Sequence, residues 1–147
     1  VHAVVLPIGD DLYALPVEWV QQVVAAPSVT ALVTAPSLVI GLFNLRGEIV
    51  PLLDTAALLG MGTVGSTGPV AFAVVLHGTD GPAALAATAV PERISLDRPS
   101  SPSALPGTNG TFQVQGRIVV LLDPAVLMAS ERLGGDMASA PVASAVA

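Results

Sequence analysis

Asp54 and Asp123 are the first residues to weigh for chemistry, because each closes a Leu-Leu-Asp tripeptide. Two carboxylates held close enough to share one proton can activate water, the chemistry of an aspartic hydrolase. Such a site needs a glycine soon after each aspartate so that its loop can turn. Here Ala56 and Ala125 stand there, and Pro124 replaces Thr55 in the second copy, removing a hydroxyl and an N–H. Capping of a short helix explains both aspartates without chemistry. His2 and His77 have no second histidine or carboxylate at ligand spacing, so no metal site is expected. Ser100, Ser101 and Ser103 lie in a Pro-rich loop without a nucleophile elbow. Gly60-x-Gly62-x-x-Gly65 follows a helical turn rather than a strand and opens no helix, unlike a phosphate cradle. With no cysteine there is no thiol nucleophile and no disulfide. No cofactor is expected.

The elements that must position these residues are short. Residues 3–8 and 12–15 flank Gly9-Asp10-Asp11 and read as a β-hairpin. The spacing of Val17, Val20, Val23 and Val24 suggests a turn of helix leading into a strand, with an irregular stretch between Pro27 and Pro36. Two β-favourable runs meet at Arg46-Gly47, a two-residue connection whose glycine tolerates positive φ, as a tight hairpin requires. A helical turn over 55–59 follows, with Asp54 at its cap and Gly60 at its end. Residues 70–76 and 83–90 read as further strands, and 91–94 begins another piece. Residues 97–109 read as a surface loop, and 134–147 as a disordered tail rich in Ala and Ser.

Residues 110–128 repeat residues 41–59 without a gap, displaced by 69 positions. Ten of the 19 aligned residues are identical, among them Gly41/Gly110, Phe43/Phe112, Gly47/Gly116 and Asp54/Asp123. Gly47 and Gly116 are therefore turn residues, and Asp54 and Asp123 caps. Each half offers about five short strands, and β structure of that size buries a core best by closing into a small barrel. The expected fold is mainly β, with two SH3-like five-stranded barrels intertwined in one unit over 1–133. A groove between the barrels is the natural place for a partner.

Composition narrows the partners. Of 147 residues, 52% are apolar and 11% charged, with all five basic residues arginine against eleven acids. A chain of net charge −6 has no basic stripe for phosphate, which argues against nucleic acid and against an anionic membrane surface. Its two long uncharged stretches, 19–45 and 55–79, carry too many Pro, Gly, Gln and Asn residues to insert as spanning helices. The opening Val1-His2-Ala3 lacks both a signal-peptide pattern and an initiator Met, as in a cytoplasmic protein whose start has been trimmed.

Gly41-x-x-Asn44-Leu45-Arg46-Gly47-x-Ile49-Val50-Pro51-x-x-Asp54 resembles the signature of the CheW family, the adaptors of bacterial chemotaxis. Gly9-Asp10-Asp11-x-Tyr13, Val17-x-x-Val20-x-x-Val23 and Pro36 agree with it, and the resemblance runs from about residue 3 to about residue 132. It implies two SH3-like barrels and no catalytic activity. It also implies two partners, the regulatory domain of a CheA-type histidine kinase and the cytoplasmic helical tip of a chemoreceptor. The kinase contact would be one barrel edge docking pseudo-symmetrically onto its relative. Carried over by position, Val20, Gln22, Val23, Gly41, Asn44 and Arg46 would lie on or near the receptor side. Arg46 can pair with a carboxylate on a partner helix or bond local carbonyls and hold its turn; the two roles are compatible. Trp19 can anchor an interface or belong to the core. The rival readings are a CheW-like module of another two-component pathway or of a larger kinase, and, more distantly, the aspartic hydrolase.

Overall fold

Runs of Val, Leu and Ile cut by Gly and Pro give ten short strands among the described residues. The computed structural model describes residues 2–25, 27–31, 38–60, 69–78, 81–97 and 107–128. Gly9, at φ 61°, turns β1 (His2–Ile8) into β2 (Asp11–Pro16). A 3-10 turn, Val17–Trp19, leads to β3 (Val20–Ala25), then β4 (Val39–Leu45), β5 (Glu48–Leu53) and the helical turn α1 (Thr55–Leu58). The second half follows with β6 (Phe72–Leu76), β7 (Ala83–Ala87), β8 (Glu92–Ser95), β9 (Thr108–Val114), β10 (Arg117–Leu122) and α2 (Pro124–Leu127). The expected tail, the Gly-rich loop beyond Gly60 and the serines at 100, 101 and 103 lie outside the described residues.

The two strand–strand–helix units match to the residue. β9, β10 and α2 begin and end 69 positions after β4, β5 and α1. Phe43 and Phe112 are both buried, and β5 and β10 share one burial pattern. Even a loop bond is repeated. The Asp54 N–H donates to the Leu38 carbonyl at 2.7 Å, and the Asp123 N–H to that of Gly107 at 2.7 Å.

The two sheets do not coincide with the two halves of the chain. One has the order β8-β1-β2-β10-β9 and the other β3-β6-β7-β5-β4. Each sheet therefore takes the first hairpin of one half and the last three strands of the other. Parallel pairs, β2 with β10 and β5 with β7, join the contributions. The halves have exchanged hairpins, so a single half completes neither sheet.

Chain length requires the second sheet to curl. After β3 ends at Ala25, Thr30 bridges to Leu42 on the outer side of β4, with N–O distances of 2.7 and 2.9 Å. Five residues reach at most about 18 Å. In a flat sheet, the outer side of β4 would lie five strand spacings from β3, about 24 Å. The edges must therefore bend towards each other, as in an SH3-like barrel. Gly41 permits the closure. A Cβ there would lie 2.5 Å from the Thr30 carbonyl oxygen and 2.6 Å from Val29 Cγ1.

The main core lies between the sheets. Leu6, Ile8, Tyr13, Leu15 and Leu122 from the first pack with Phe43, Val50, Leu52 and all of β6 and β7 except the edge of Phe72. β7 reads Ala-Ala-Leu-Ala-Ala and is buried throughout, since small side chains let the sheet be covered on both faces. A smaller cluster of Ala3, Ala14, Leu96, Phe112, Val119 and Leu121 fills the inside of the first sheet. The inter-barrel space is thus packed core. A cavity of about 360 Å³ opens instead within the first sheet, lined by Val5, Leu12, Ile94 and Val114 with Glu92 and Arg117.

Candidate docking surfaces

The β4–β5 hairpin presents the most exposed part of the sequence signature. Leu45 pairs with Glu48, so the turn holds two residues, Arg46 and Gly47, both at positive φ (54° and 87°). That is the turn whose twist suits a hairpin. A non-glycine residue held there costs about 1–2 kcal/mol. The Asn44 side chain offsets part of this, because its Oδ1 accepts a 2.9 Å hydrogen bond from the Gly47 N–H. Arg46 is exposed, and among the described residues nothing bonds to its guanidinium.

The β9–β10 hairpin is its counterpart, with Gln115 at φ 52° and Gly116 at φ 78°. Gln113 replaces Asn44 and has no bond to Gly116 among the described residues. Its cation is Arg117, whose Nη2 donates back to the Asp10 carbonyl at 3.2 Å.

Both hairpins carry an isoleucine out into solvent. Ile49 is 58% exposed and Ile118, at the same repeat position, 61% exposed. Sequence reasoning missed this pair, although strand alternation signals it. With Val50 and Leu52 turned inward, Ile49 must face outward.

The residues expected on the receptor side fall into two groups. Val20, Gln22 and Val23 are on β3 and Gly41, Asn44 and Arg46 on or just beyond β4, and these strands are the two edges of the second sheet. Alternation also divides the β3 group. Val20 and Gln22 face partly inward, with Val20 against the core, whereas Val23 is 42% exposed. Gly41 is buried beneath Val29 and Thr30, where it serves closure of the sheet.

Asp54 is buried, and its Oδ1 accepts from the Ala57 N–H at 3.0 Å, capping α1. Thr55 turns its hydroxyl to the Ala86 carbonyl at 2.9 Å. Asp123, expected as a second cap, occupies the cap position without a side-chain cap bond. There the Asp123 main-chain carbonyl takes the Val126 and Leu127 N–H groups, at 3.1 and 3.0 Å, and Pro124 has no N–H to satisfy. Among the described residues no three His, Asp or Glu side chains gather as metal ligands, and no helix is long and apolar enough to cross a membrane. Trp19 is half-buried and packs against the main core, and its carbonyl accepts from the His77 N–H at 3.1 Å.

A duplicated hairpin on exchanged sheets is thus joined to the signature Asn44-Leu45-Arg46-Gly47. The family model described as the CheW-like domain matches residues 2–132. The chain belongs to that family. Within the CheW-like family, it is 31% identical over 70 residues to chemotaxis protein CheW of Helicobacter pylori, covering 48% of this chain and 42% of that one. It is 35% identical over 51 residues to chemotaxis protein CheW of Treponema pallidum, covering 35% of this chain and 30% of that one. The matched segments therefore span less than half of either relative. The crystal structure of the scaffolding protein TtCheW from Thermoanaerobacter tengcongensis has the same fold, with a TM-score of 0.70 at 24% identity over 82% of each chain.

Proposed function

We propose that this CheW-like domain is a non-enzymatic, cytoplasmic chemotaxis adaptor that couples chemoreceptors to a CheA-type histidine kinase by binding both. The observation that carries the proposal is the family signature itself, standing as an exposed turn whose arginine has no partner among the described residues. Arg46 pairs with a carboxylate on the receptor's helical tip, and Val23 adds apolar contact from β3. The kinase regulatory domain, a relative of this fold, docks on the hairpin face that carries Ile118, because Ile49 lies opposite Asn44 on the receptor hairpin. The aspartic-hydrolase reading is disfavoured by the placement of Asp54, whose carboxylate caps α1 beside a threonine turned away into the sheet.

The test is capture by each partner alone. Arg46→Ala weakens capture by a receptor tip far more than capture by the kinase regulatory domain. Equal loss of both, with a lower melting temperature, makes Arg46 a structural residue and removes the receptor assignment. Peptide cleavage that disappears in Asp54→Asn would defeat the adaptor reading altogether.

A further inference from the structure

We infer that Asn44 is a positioning residue for Arg46, its side chain holding the turn from which the guanidinium is presented. The inference rests on the receptor assignment proposed above and deepens it.

The turn leaves two main-chain donors outside the ladder. Leu45 and Glu48 close the ladder, so the N–H groups of Arg46 and Gly47 lie beyond it. Arg46 must hold φ 54°, a conformation that a long side chain does not favour and from which it can relax. The Asn44 Oδ1 takes the Gly47 N–H at 2.9 Å and fastens the far side of the turn to the strand that precedes it. An asparagine side chain bonding a nearby main-chain N–H is a local device for fixing a turn. The Arg46 guanidinium is then aimed by a fixed base, so less freedom is lost when a carboxylate binds it.

The repeat supplies the contrast within one molecule. Gln113 stands in place of Asn44 and Gln115 in place of Arg46, so the clasp and the free cation are missing together. The one cation of that hairpin, Arg117, is drawn back onto the Asp10 carbonyl. Both hairpins have the same backbone turn, so the turn does not itself require the clasp. Asn44 goes with the arginine.

A double-mutant cycle tests this, with a purified chemoreceptor cytoplasmic tip as the probe and the kinase regulatory domain as the control. Arg46→Ala is expected to weaken tip binding about tenfold and Asn44→Ala about threefold. Asn44→Asp, which keeps the acceptor oxygen, restores near-native binding. Kinase capture is unchanged in all three. The double variant binds the tip no more weakly than Arg46→Ala alone. Losses that multiply in the double variant overturn the positioning role while leaving the receptor assignment standing. So does a fall in kinase capture with Asn44→Ala alone. Tip binding that survives Arg46→Ala at full strength overturns both.

Discussion

Glu48 and Arg117 occupy the same position in two copies of one hairpin and carry opposite charge. Each precedes an exposed isoleucine, Ile49 or Ile118, so the two faces share an apolar centre and differ in the sign beside it. Charge beside an apolar contact selects orientation more than it adds affinity. A pseudo-symmetric relative of this fold docking here would meet two distinguishable surfaces.

Replacing Ile118 by Asp should weaken capture of the kinase regulatory domain at least tenfold, and Ile49→Asp should leave it untouched. Surface changes of this kind move stability by about 0.5 kcal/mol or less. Melting temperature should therefore stay constant while binding falls in one variant. Unchanged capture in both would remove the Ile118 face from the kinase contact.

Gly41→Ala should destabilise the fold. The added methyl meets the Thr30 carbonyl at 2.5 Å, and that oxygen belongs to backbone already bonded to Leu42. Overpacking of this kind costs about 1–3 kcal/mol. Thermal melting checks it. A variant as stable as the parent would show that residues 29–30 do not hold the sheet closed.

The two aspartates should behave differently despite their shared motif. Asp54→Ala loses a cap bond, worth about 1 kcal/mol. Asp123→Ala, where the main-chain carbonyl already takes the first-turn N–H groups, should cost much less. Paired denaturant titrations measure the difference, and equal losses would contradict it.

Much of the fold was legible because its signals are local. Gly47 and Gly116 mark their turns, and the 69-residue repeat announces that whatever forms around Phe43 forms again around Phe112. The exchange of hairpins was not legible. It depends on parallel pairs between strands far apart in the chain, such as Val119 beside Leu12, which leave no local pattern. β7 stops at Ala87, short of the expected 90, because Thr88 leaves the sheet to bond elsewhere. Its N–H donates to the Pro7 carbonyl at 2.9 Å, and its Oγ1 accepts from the Gly9 N–H at 2.8 Å. The motif also pointed to Gly41, but only the approach of Thr30 reveals that its role is closure.

Alkaline pH should weaken the fold through one phenol. Tyr13 is the single tyrosine, and the chain has neither lysine nor cysteine to titrate beside it. Burial, and then the nearby Asp11 charge, push its pKa above the usual 10.0. The unfolded chain thus gives up the phenol proton first. Stability holds below about pH 10 and falls as pH rises from there through the folded value. Tyr13→Phe should flatten that fall. An equal decline in the variant would assign it to another group.

Two partners and two surfaces make one demand that separates an adaptor from a domain with a single binding face. Analytical ultracentrifugation of the chain with a receptor tip and a kinase regulatory domain tests it directly. The account predicts one species holding all three, with the tip lost selectively on Arg46→Ala. Mutually exclusive binding, in which adding one partner releases the other, would contradict it.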